Sequence, residues 1–516
     1  MLPATRRLEA FDIDELIRQE NYFVVHAPRQ VGKTTAMQVL ADELTASGDY
    51  ISIVVSMETG AAFTDTLKAE QAILTNWRIT IRSQLPSEFH PPVWFPEEGY
   101  GGGLIGTYLN EWAFAAPRPL VIFLDEIDAL EDETLISVLR QLRSGYASRP
   151  KGFPSSLAII GLRDVRDYRV ASGGSQRLKS PSPFNIAVRS ITLRNFTADE
   201  VKILLNQHVD ESGQEITPEA MERIFFLSQG QPWLVNSLAK VCVEELEKNR
   251  QNPVTRYHVD EAKEILIQRR QVHLDQLTDK LQTKRVRSVI EPILSGRALD
   301  NIPLDDIDYV DDLGLIKRTN GRTVMIANPI YKEIIPRVLT ENTEASLPQI
   351  SPSWLNPNGS LNPDKLINAF LVFWRRHGQP LLKSAPYHEI APHTVMMAFL
   401  HRVVNGEGVI DREYAIGSGK MDLYIRYEGG PETVQMAMEL KVWRDGRPEP
   451  LDVGLKQLDD YMSGLSYNHL NYDGTEVETG WLVIFDQRSG QPEISERTTA
   501  ASTITPAGRT VTLIRA

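Results

Sequence analysis

The sequence predicts a multidomain α/β protein, with a helix-covered parallel sheet first and a second, separate α/β domain last. Over residues 1–245, short apolar runs alternate with segments of helical period, which is the pattern of strands joined by crossover helices. From residue 363 a new alternation of helices and strands begins and continues to the end. In the first part, strands are expected at residues 22–26, 50–56, 120–124, 157–161 and 190–193, and helices at residues 34–47, 132–146 and 197–207.

The chain has 516 residues, which exceeds the size at which a single hydrophobic core stops growing. Several domains are therefore expected. Composition and periodicity divide the chain into a sheet core at 1–195, helices forming a lid or linker at 196–275, a compact unit at 276–340, a linker at 341–362 and the second α/β domain at 363–516.

Three stretches between these elements have turn or linker composition. Residues 86–106 are rich in Pro and Gly and predict a loop or insertion. Residues 341–362 are polar and proline-rich and predict a linker. Before that linker, helices precede two strand-like arms joined by Asn320-Gly321, a strong hairpin signal that predicts a winged-helix domain. We expect this domain to be a spacer and not a DNA reader, because none of its helices is dense in Arg, Asn and Gln.

The overall composition, with 42% hydrophobic and 24% charged residues, is that of an ordinary globular protein. No apolar run is long enough for a membrane span, and the first twenty residues lack the apolar stretch of a signal peptide. The single cysteine, Cys242, cannot form an internal disulfide. These features predict a cytoplasmic protein. The net charge of −13 provides no global basic surface for nucleic acid, although phosphate contacts depend on local patches.

A strand over residues 22–26 leads into the stretch His26-Ala-Pro-Arg-Gln-Val-Gly-Lys-Thr-Thr35, and a helix follows. In this arrangement backbone N–H groups of the loop and the helix N-terminus surround phosphates. Lys33 is expected to reach the β- and γ-phosphates, and the Thr34 hydroxyl to ligate Mg²⁺. Ala27 takes the place of the usual first glycine and is small enough to be tolerated. The residues expected to bind nucleotide are Ala27, Pro28, Arg29, Gln30, Val31, Gly32, Lys33, Thr34 and Thr35.

A second motif supports the prediction of a nucleotide-binding site. The run Leu120-Val-Ile-Phe-Leu-Asp-Glu-Ile-Asp-Ala-Leu130 predicts a buried strand that ends in two carboxylates. Asp125 is expected to hold Mg²⁺ through water, and Glu126 to polarise the attacking water. The glutamate favours an ATPase that hydrolyses its nucleotide over a passive nucleotide binder.

These motifs give about the first 340 residues a resemblance to the AAA+/STAND group of P-loop ATPases, especially the bacterial AAA-like domain and archaeal-type ATPase families. The resemblance rests on the loop at 27–34, Asp125-Glu-Ile-Asp128, Ile160-Gly-Leu-Arg-Asp164 and Gly230-Gln-Pro-Trp233. It implies ATP and Mg²⁺ as cofactors, an appended winged helix, and a homo-oligomer at least in the ATP state. It also places Arg163 near the sensor-1 position, and makes Arg143 or Arg149 the candidate arginine finger.

A second group of polar residues lies in the C-terminal domain. Residues 413–427 predict a hairpin with its turn at Gly417-Ser-Gly419 and with Asp422 at the start of the return strand. Residues 434–443 predict another strand, on which side chains alternate at period 2, so that Glu439 and Lys441 share one face. Asp422 and Glu439 would hold Mg²⁺ or Mn²⁺, with the Leu440 carbonyl as a further ligand.

In that interpretation the metal ion activates water, and Lys441 orients the nucleophile or stabilises the developing charge. Downstream, Gln457 and Tyr461 stand four residues apart on one helix face. Over about residues 363–490, the order Asp, Glu-x-Lys, Gln-x-x-x-Tyr resembles the PD-(D/E)xK nucleases, and its last element is similar to their RecB-type branch. The resemblance implies a restriction-endonuclease-like fold and metal-dependent cleavage of nucleic acid.

The first helix of this domain departs from the nuclease pattern. Residues 392–404 contain no glutamate where many members of that family carry one. His401, His393 or Glu389 are alternatives, and Glu413 is a further candidate acidic group. The number of metal ions therefore stays open, as does a degenerate domain that binds without cutting.

Three functions are compatible with these motifs. The leading hypothesis is an ATP-dependent or ATP-regulated nuclease acting on nucleic acid, DNA rather than RNA, in defence against foreign DNA or in repair. The alternative is a STAND-like switch that ATP drives to oligomerise, with the C-terminal domain binding a protein partner or acting as an effector. A transcriptional regulator using the winged helix ranks third. The aromatic residues Trp354, Trp374 and Trp443 are expected to be buried rather than to stack on bases.

Overall fold

The computed structural model describes residues 4–8, 12–93, 102–130, 132–162, 186–269, 280–294, 299, 302–319, 323–346, 353–384, 391–404, 408–413, 421–427, 430–431, 433–467 and 479–516. The chain divides into two compact units. The first comprises Met1–Gln268 together with Asp308–Leu315, and the second comprises Arg269–Ile307 together with Ile316–Ala516. Within the described ranges, no helix is both long enough and apolar enough to cross a bilayer.

The first unit is built on a parallel sheet of five strands in the order β2-β3-β4-β1-β5. This confirms the α/β prediction for the unit, and the sheet fits a P-loop NTPase. Strands β1 to β4 begin and end within one residue of the predicted bounds, whereas β5 begins three residues early. The strands are β1 (Tyr22–His26), β2 (Ile51–Ser56), β3 (Leu120–Asp125), β4 (Ser156–Gly161) and β5 (Ala187–Thr192).

Helices cover both faces of this sheet, as expected for parallel strands that are buried throughout. Side chains alternate along β1, so Tyr22 and Val24 join the core under α3, α4 and α5, whereas Phe23 and Val25 join the core under α1 and α2. The helices are α1 (Ile13–Arg18), α2 (Lys33–Ser47), α3 (Thr66–Gln84), α4 (Leu104–Ala115) and α5 (Asp132–Gly145).

Helix α4 is a correction to the predicted loop at 86–106, which its first residues overlap. Its buried residues are Leu104, Ile105, Tyr108, Leu109 and Trp112, a helical period that the neighbouring glycines obscured. The buried carboxylate of Glu70 accepts a hydrogen bond from the Leu104 N–H at 2.9 Å. Desolvation raises the pKa of Glu70, and this hydrogen bond opposes the increase. The helix therefore begins where a carboxylate meets its positive end.

Four further helices, here named the lid helices, follow β5 in the first unit: α6 (Ala198–Ser212), α7 (Pro218–Ser228), α8 (Pro232–Val241) and α9 (Arg256–Gln268). Thr197 and Glu200 form a capping box at the start of α6, and the helix runs five residues beyond its predicted end. Both α7 and α8 begin with a proline, behind the capping residues Thr217 and Gln231.

The second unit contains α10 (Lys284–Leu294) and a two-stranded antiparallel hairpin, β6 (Ile316–Thr319) and β7 (Thr323–Ile326). The predicted pair of strands is therefore present, whereas the turn residues 320–322 lie outside the described residues. Helix α11 (Leu304–Asp312) contributes its first residues to this unit and its last residues to the first unit. The assignment of a winged helix stays a prediction.

The predicted linker at 341–362 is partly structured. Helix α12 (Pro329–Ser346) runs into it, and Trp354 and Leu361 are buried in the core of the C-terminal domain. The apolar residues within this polar stretch account for the difference, because burying them outweighs the local preference for a linker.

A mixed sheet of six strands, in the order β12-β13-β11-β10-β9-β8, forms the C-terminal domain. Apolar residues on one sheet face pack against α13 and α14, and those on the other against α15. Trp374 lies in the first of these cores, as predicted. The elements are α13 (Pro363–Ser384), α14 (Ala391–Val404), β8 (Gly408–Glu413), β9 (Met421–Tyr427), β10 (Val434–Trp443), α15 (Leu451–Tyr467), β11 (Thr479–Asp486), α16 (Ile494–Arg497), β12 (Thr499–Ile504) and β13 (Thr510–Arg515).

Candidate functional site

The loop between β1 and α2, residues 27–32, has the backbone of a phosphate-binding loop. Gln30 and Gly32 adopt left-handed conformations, with φ of 59° and 79°, and Gly32 is the residue immediately before α2. Successive backbone N–H groups in such a conformation form a concave anion site at a helix N-terminus. Ala27 and Val31 are buried, whereas the side chains of Arg29, Gln30, Thr34 and Thr35 are exposed. The loop therefore anchors itself through its apolar residues and presents its polar ones.

The side chain of Lys33 lies over the loop. Its Nζ donates hydrogen bonds to the carbonyl oxygens of Ala27 at 2.8 Å and Pro28 at 3.0 Å. Desolvation lowers the pKa of Lys33, and the carboxylates of Asp128, Asp125 and Glu126 oppose this decrease. The ammonium group thus lies among the groups that would flank a polyphosphate.

The two motifs of the first unit meet directly, although 91 residues separate them in the sequence. The Thr34 hydroxyl donates a hydrogen bond of 2.5 Å to Asp125 Oδ2. The other carboxylate oxygen of Asp125 accepts from the backbone N–H of Glu126 at 2.9 Å. The carboxyl ends of β1 and β3 lie on the same edge of the sheet, with only β4 between them, which explains why the two residues meet.

Glu126 follows β3 in a left-handed conformation, with φ of 57°, and its side chain is exposed. Desolvation raises the pKa of Glu126, and the carboxylates of Asp125 and Asp128 raise it further. Asp128 Oδ1 accepts a hydrogen bond from the Leu162 N–H at 2.7 Å and so fastens the end of β3 to the end of β4. Arg163, the next residue, lies outside the described residues.

The two candidate arginine fingers differ in their surroundings. The Arg149 guanidinium lies 3.4 Å from the ring centroid of Tyr146 and 5.0 Å from that of Tyr22. It also donates to the carbonyl oxygens of Tyr146, at 2.7 Å, and Glu20. Arg143, in the last turn of α5, is exposed. Arg149 is therefore held within its own unit by four contacts, whereas Arg143 is accessible.

Two contacts on the loop were not anticipated from the sequence. The buried Arg7 donates a hydrogen bond of 2.7 Å to the Val31 carbonyl. Gly314, with φ of 74°, lies so close to Pro28 that an added Cβ would be 2.8 Å from the proline ring. Nothing in the sequence marks Arg7, because burial of a charge depends on tertiary contacts. Gly314 follows α11 and could have been read as a glycine that ends a helix.

In the C-terminal domain, Glu439 and Lys441 share one face of β10, as the period-2 pattern predicts, and form an ion pair. Both are buried, with 0% and 6% of their surfaces exposed. Leu440, between them, belongs to the core on the opposite face. Two charged groups are thus buried together, where each is stable only with a counter-charge.

Strand register aligns three acidic positions across neighbouring strands. Glu413 on β8 is paired with Asp422 on β9, and Asp422 is paired with Glu439 on β10. The side chains of Glu413 and Asp422 lie outside the described residues. Among the side chains that the structure does describe, no three His, Cys, Asp or Glu form a metal-binding group.

Helix α15 brings the two remaining candidate residues to the Glu439 face. Tyr461 packs against the core that includes Ala437 of β10 and Leu458. Gln457, one turn earlier, is half-buried, and no hydrogen-bond donor to its buried Oε1 is found among the described residues. Trp443, also on this face, is only half-buried, which departs from its predicted burial.

His393, near the start of α14, is one of the alternatives to the absent glutamate. It is buried, and neither ring nitrogen makes a well-aligned hydrogen bond to a described group. Burial lowers the pKa of His393 to about 3, with Arg444 and Lys441 adding to the decrease and the Leu440 backbone opposing it. The imidazole is thus neutral and lies near the Leu440 backbone. Glu389 and the side chain of His401 lie outside the described residues.

Comparison with known proteins gives one family match and several similar solved structures. The family described as AAA-like domain matches residues 5–335. The chain is similar to the Walker-type ATPase of Pyrococcus abyssi, with 14% identity and a TM-score of 0.43 over 64% of this chain and 98% of that one. The Holliday junction branch migration motor RuvB of Thermotoga maritima has 16% identity and a TM-score of 0.35, over 64% and 93%. Cdc6p of Pyrobaculum aerophilum has 15% identity and a TM-score of 0.34, over 66% and 95%. No curated protein matches the chain.

Proposed function

The chain belongs to the AAA-like domain family, and from this premise we propose that its P-loop ATPase domain controls a metal-dependent nuclease in its C-terminal domain. The substrate class is nucleic acid, DNA in preference to RNA. The observation that carries the proposal is the register that pairs Asp422 with Glu439, one position from Leu440 and two from Lys441. Such an activity fits defence against foreign DNA or DNA repair.

In the ATPase domain, we assign the roles by contact. Lys33 would bind the β- and γ-phosphates, in exchange for the carbonyl groups of Ala27 and Pro28 that it contacts. Mg²⁺ would be held by the Thr34 hydroxyl and by Asp125, which already share a hydrogen bond. Glu126, with its raised pKa, would accept a proton from the attacking water more readily than an ordinary carboxylate does.

In the C-terminal domain, the donor set suits a hard divalent cation. Asp422 and Glu439 supply carboxylates, and Leu440 supplies a backbone carbonyl, which are the oxygen ligands that Mg²⁺ prefers. Two adjacent carboxylates repel each other unless a cation lies between them, and the ammonium of Lys441 balances only one. A bound ion would activate water and screen the scissile phosphate. Lys441 would orient the nucleophile.

Three further residues support the assignment. Gln457 has a buried oxygen without a hydrogen-bond donor among the described residues, which suits a group that positions water or substrate. Tyr461, one turn later on the same helix, packs against the core that includes Ala437. His393, whose pKa burial lowers and which lies near the Leu440 backbone, carries imidazole nitrogens of the kind that ligate metals and would replace the absent glutamate.

The test is cleavage of labelled single- and double-stranded DNA and RNA with Mg²⁺ or Mn²⁺, in the presence and absence of ATP. We expect metal-dependent cutting that is lost in the double variant Asp422→Ala/Lys441→Ala and kept in Lys456→Ala, which removes an exposed lysine from α15. The variant Lys33→Ala should lose ATP binding, so its cutting should no longer respond to ATP. Failure of the wild type to cut any substrate, with ATP hydrolysis intact, would refute the nuclease.

A second function is favoured by one observation: the Glu439–Lys441 ion pair balances its own charge without a metal. A C-terminal domain of this kind would bind a partner without cutting, and ATP would act by driving oligomerisation. Oligomeric state with and without ATP separates the two proposals. Assembly on ATP without any metal-dependent cutting would favour the STAND-like switch.

A further inference from the structure

A buried arginine lies beneath the phosphate-binding loop. Arg7 is only 5% exposed, and its Nη1 donates a hydrogen bond of 2.7 Å to the carbonyl oxygen of Val31. A Cβ added to Gly32 would lie 3.1 Å from Arg7 Nη2. The hydrogen bond from Arg7 fixes the orientation of the peptide between Val31 and Gly32, and this orientation is part of the left-handed turn at Gly32. Arg7 thus supports the shape that the loop needs to bind phosphate.

The same guanidinium also contacts the connection between β5 and the lid helices, here named the hinge and formed by residues 193–197. Arg7 Nη1 donates a second hydrogen bond, of 3.1 Å, to the carbonyl oxygen of Arg194. Its guanidinium carbon lies 4.7 Å from the ring centroid of Phe196, which is a favourable cation–π distance. One side chain therefore joins the loop to the hinge.

The hinge is in turn fastened to the lid helices at two points. The Arg194 guanidinium makes two hydrogen bonds to the Glu200 carboxylate, at 2.6 and 2.8 Å, and Glu200 completes the capping box of α6. The Phe196 N–H donates to the Gly230 carbonyl, in the turn between α7 and α8, at 2.9 Å. Any displacement of the hinge is therefore passed to α6 and to the start of α8.

We propose that Arg7 is a positioning residue that couples nucleotide binding at the phosphate-binding loop to the lid helices. Phosphate that binds the loop fixes the Val31 peptide, and Arg7 carries this constraint to Arg194 and Phe196. A planar guanidinium can stack on a ring while its nitrogens donate to carbonyl groups, whereas an ammonium has no plane with which to stack. The proposal needs only ATP binding by the first unit and does not depend on the nuclease.

The test uses the full chain with Arg7→Met, Arg7→Lys and the matched control Arg6→Met. Arg6 is half-exposed and reaches Glu200 at only 3.9 Å, so its removal should leave the coupling intact. Hydrogen exchange is measured with and without saturating ATP in residues 27–36 and 198–212. In the wild type and Arg6→Met, we expect ATP to slow exchange in both segments. In Arg7→Met, we expect slowing in residues 27–36 only, with the dissociation constant of ATP raised by about tenfold.

The conservative variant separates coupling from a merely structural role. We expect Arg7→Lys to recover most of the ATP affinity, because it keeps one charged hydrogen bond, but not the response of residues 198–212. At saturating ATP, kcat should fall in both Arg7 variants by a larger factor than the affinity does. A full response of residues 198–212 to ATP in either folded Arg7 variant would overturn the proposal. If Arg7→Met does not fold, Arg7→Lys alone decides by the same criterion.

Discussion

Gly230, in the turn between α7 and α8, is where a single methyl group should have a large effect. Its φ is +73°, and an added Cβ would lie 1.9 Å from the carbonyl oxygen of Phe196. Gly213, after α6, has the same φ of +73°, and an added Cβ there meets nothing within 4 Å. The pair Gly230→Ala and Gly213→Ala thus isolates steric overlap from the cost of the backbone conformation.

The expected magnitudes follow from these distances. A non-glycine residue in the left-handed region costs roughly 1–2 kcal/mol, and this cost applies to both variants. For Gly230→Ala, the Cβ and the Phe196 oxygen must separate by more than about 1 Å to reach ordinary contact. That movement stretches or breaks the 2.9 Å hydrogen bond from the Phe196 N–H to the Gly230 carbonyl, worth about 1 kcal/mol. Local overpacking adds about 1–3 kcal/mol, so Gly230→Ala should cost at least about 2 kcal/mol more than Gly213→Ala.

Thermal unfolding and hydrogen exchange measure the difference. We expect Gly230→Ala to have the lower midpoint, by roughly 4 °C or more, and faster exchange in residues 193–200 and 228–235. Gly213→Ala should change exchange only around residue 213. Equal midpoints and equal exchange in the two variants would show that the hinge does not hold Gly230 as closely as described, and would refute the reasoning.

The remaining predictions concern the capping box, the arginine candidates and the metal ligand. Arg194 lowers the pKa of Glu200 to about 2, so the stabilisation by this carboxylate is complete above a pH of about 4.5 and is lost as the pH falls towards 2. Glu200→Gln should reduce the free energy of unfolding by about 1–2 kcal/mol at neutral pH, since Arg194 is partly exposed. Between pH 7 and 3, the stability of this variant in denaturation experiments should change less than that of the wild type. Arg149→Met should lower the thermal midpoint by several degrees and leave ATP hydrolysis unchanged. Arg143→Met should reduce ATP hydrolysis only in the assembled protein. The reverse pattern would make Arg149 the arginine finger and Arg143 the structural residue. Thr34→Val should raise the Mg²⁺ concentration needed for half-maximal phosphate release by at least about tenfold, and Thr34→Ser should restore the wild-type concentration. A Mg²⁺ titration that is the same in the wild type and both variants would exclude Thr34 as a ligand.

Local patterns were enough to predict most of the first sheet. Strands β1 to β4 are continuous apolar runs bounded by turn residues, and each fell within one residue of its predicted bounds. The meeting of Thr34 and Asp125 was also predictable, because the carboxyl ends of parallel strands share one edge of the sheet. Such features depend on neighbours in the sequence or on a topology that the motif itself implies.

The parts that escaped prediction depend on distant contacts. Helix α4 follows a glycine-rich stretch that suggested a loop, and a buried carboxylate from α3 fixes its start. Residues 341–362 have the composition of a linker, yet α12 runs into them and Leu361 is buried with Trp354 in the C-terminal core. Arg7 carries no motif, and its role rests on partners at Val31 and Arg194. Sequence reasoning cannot place such residues, because their partners are set by the fold.

The contact between Glu70 and the start of α4 has a consequence for how this protein can vary and be engineered. Because Glu70 accepts the first N–H of the helix at 2.9 Å, the start of α4 is anchored from within the core. Lengthening the connection between two anchored elements adds only a small, slowly growing entropy cost. Residues inserted between Val93 and Gly102 should therefore leave the register of α4 unchanged, which makes this connection a suitable place for an epitope tag or a fluorescent label.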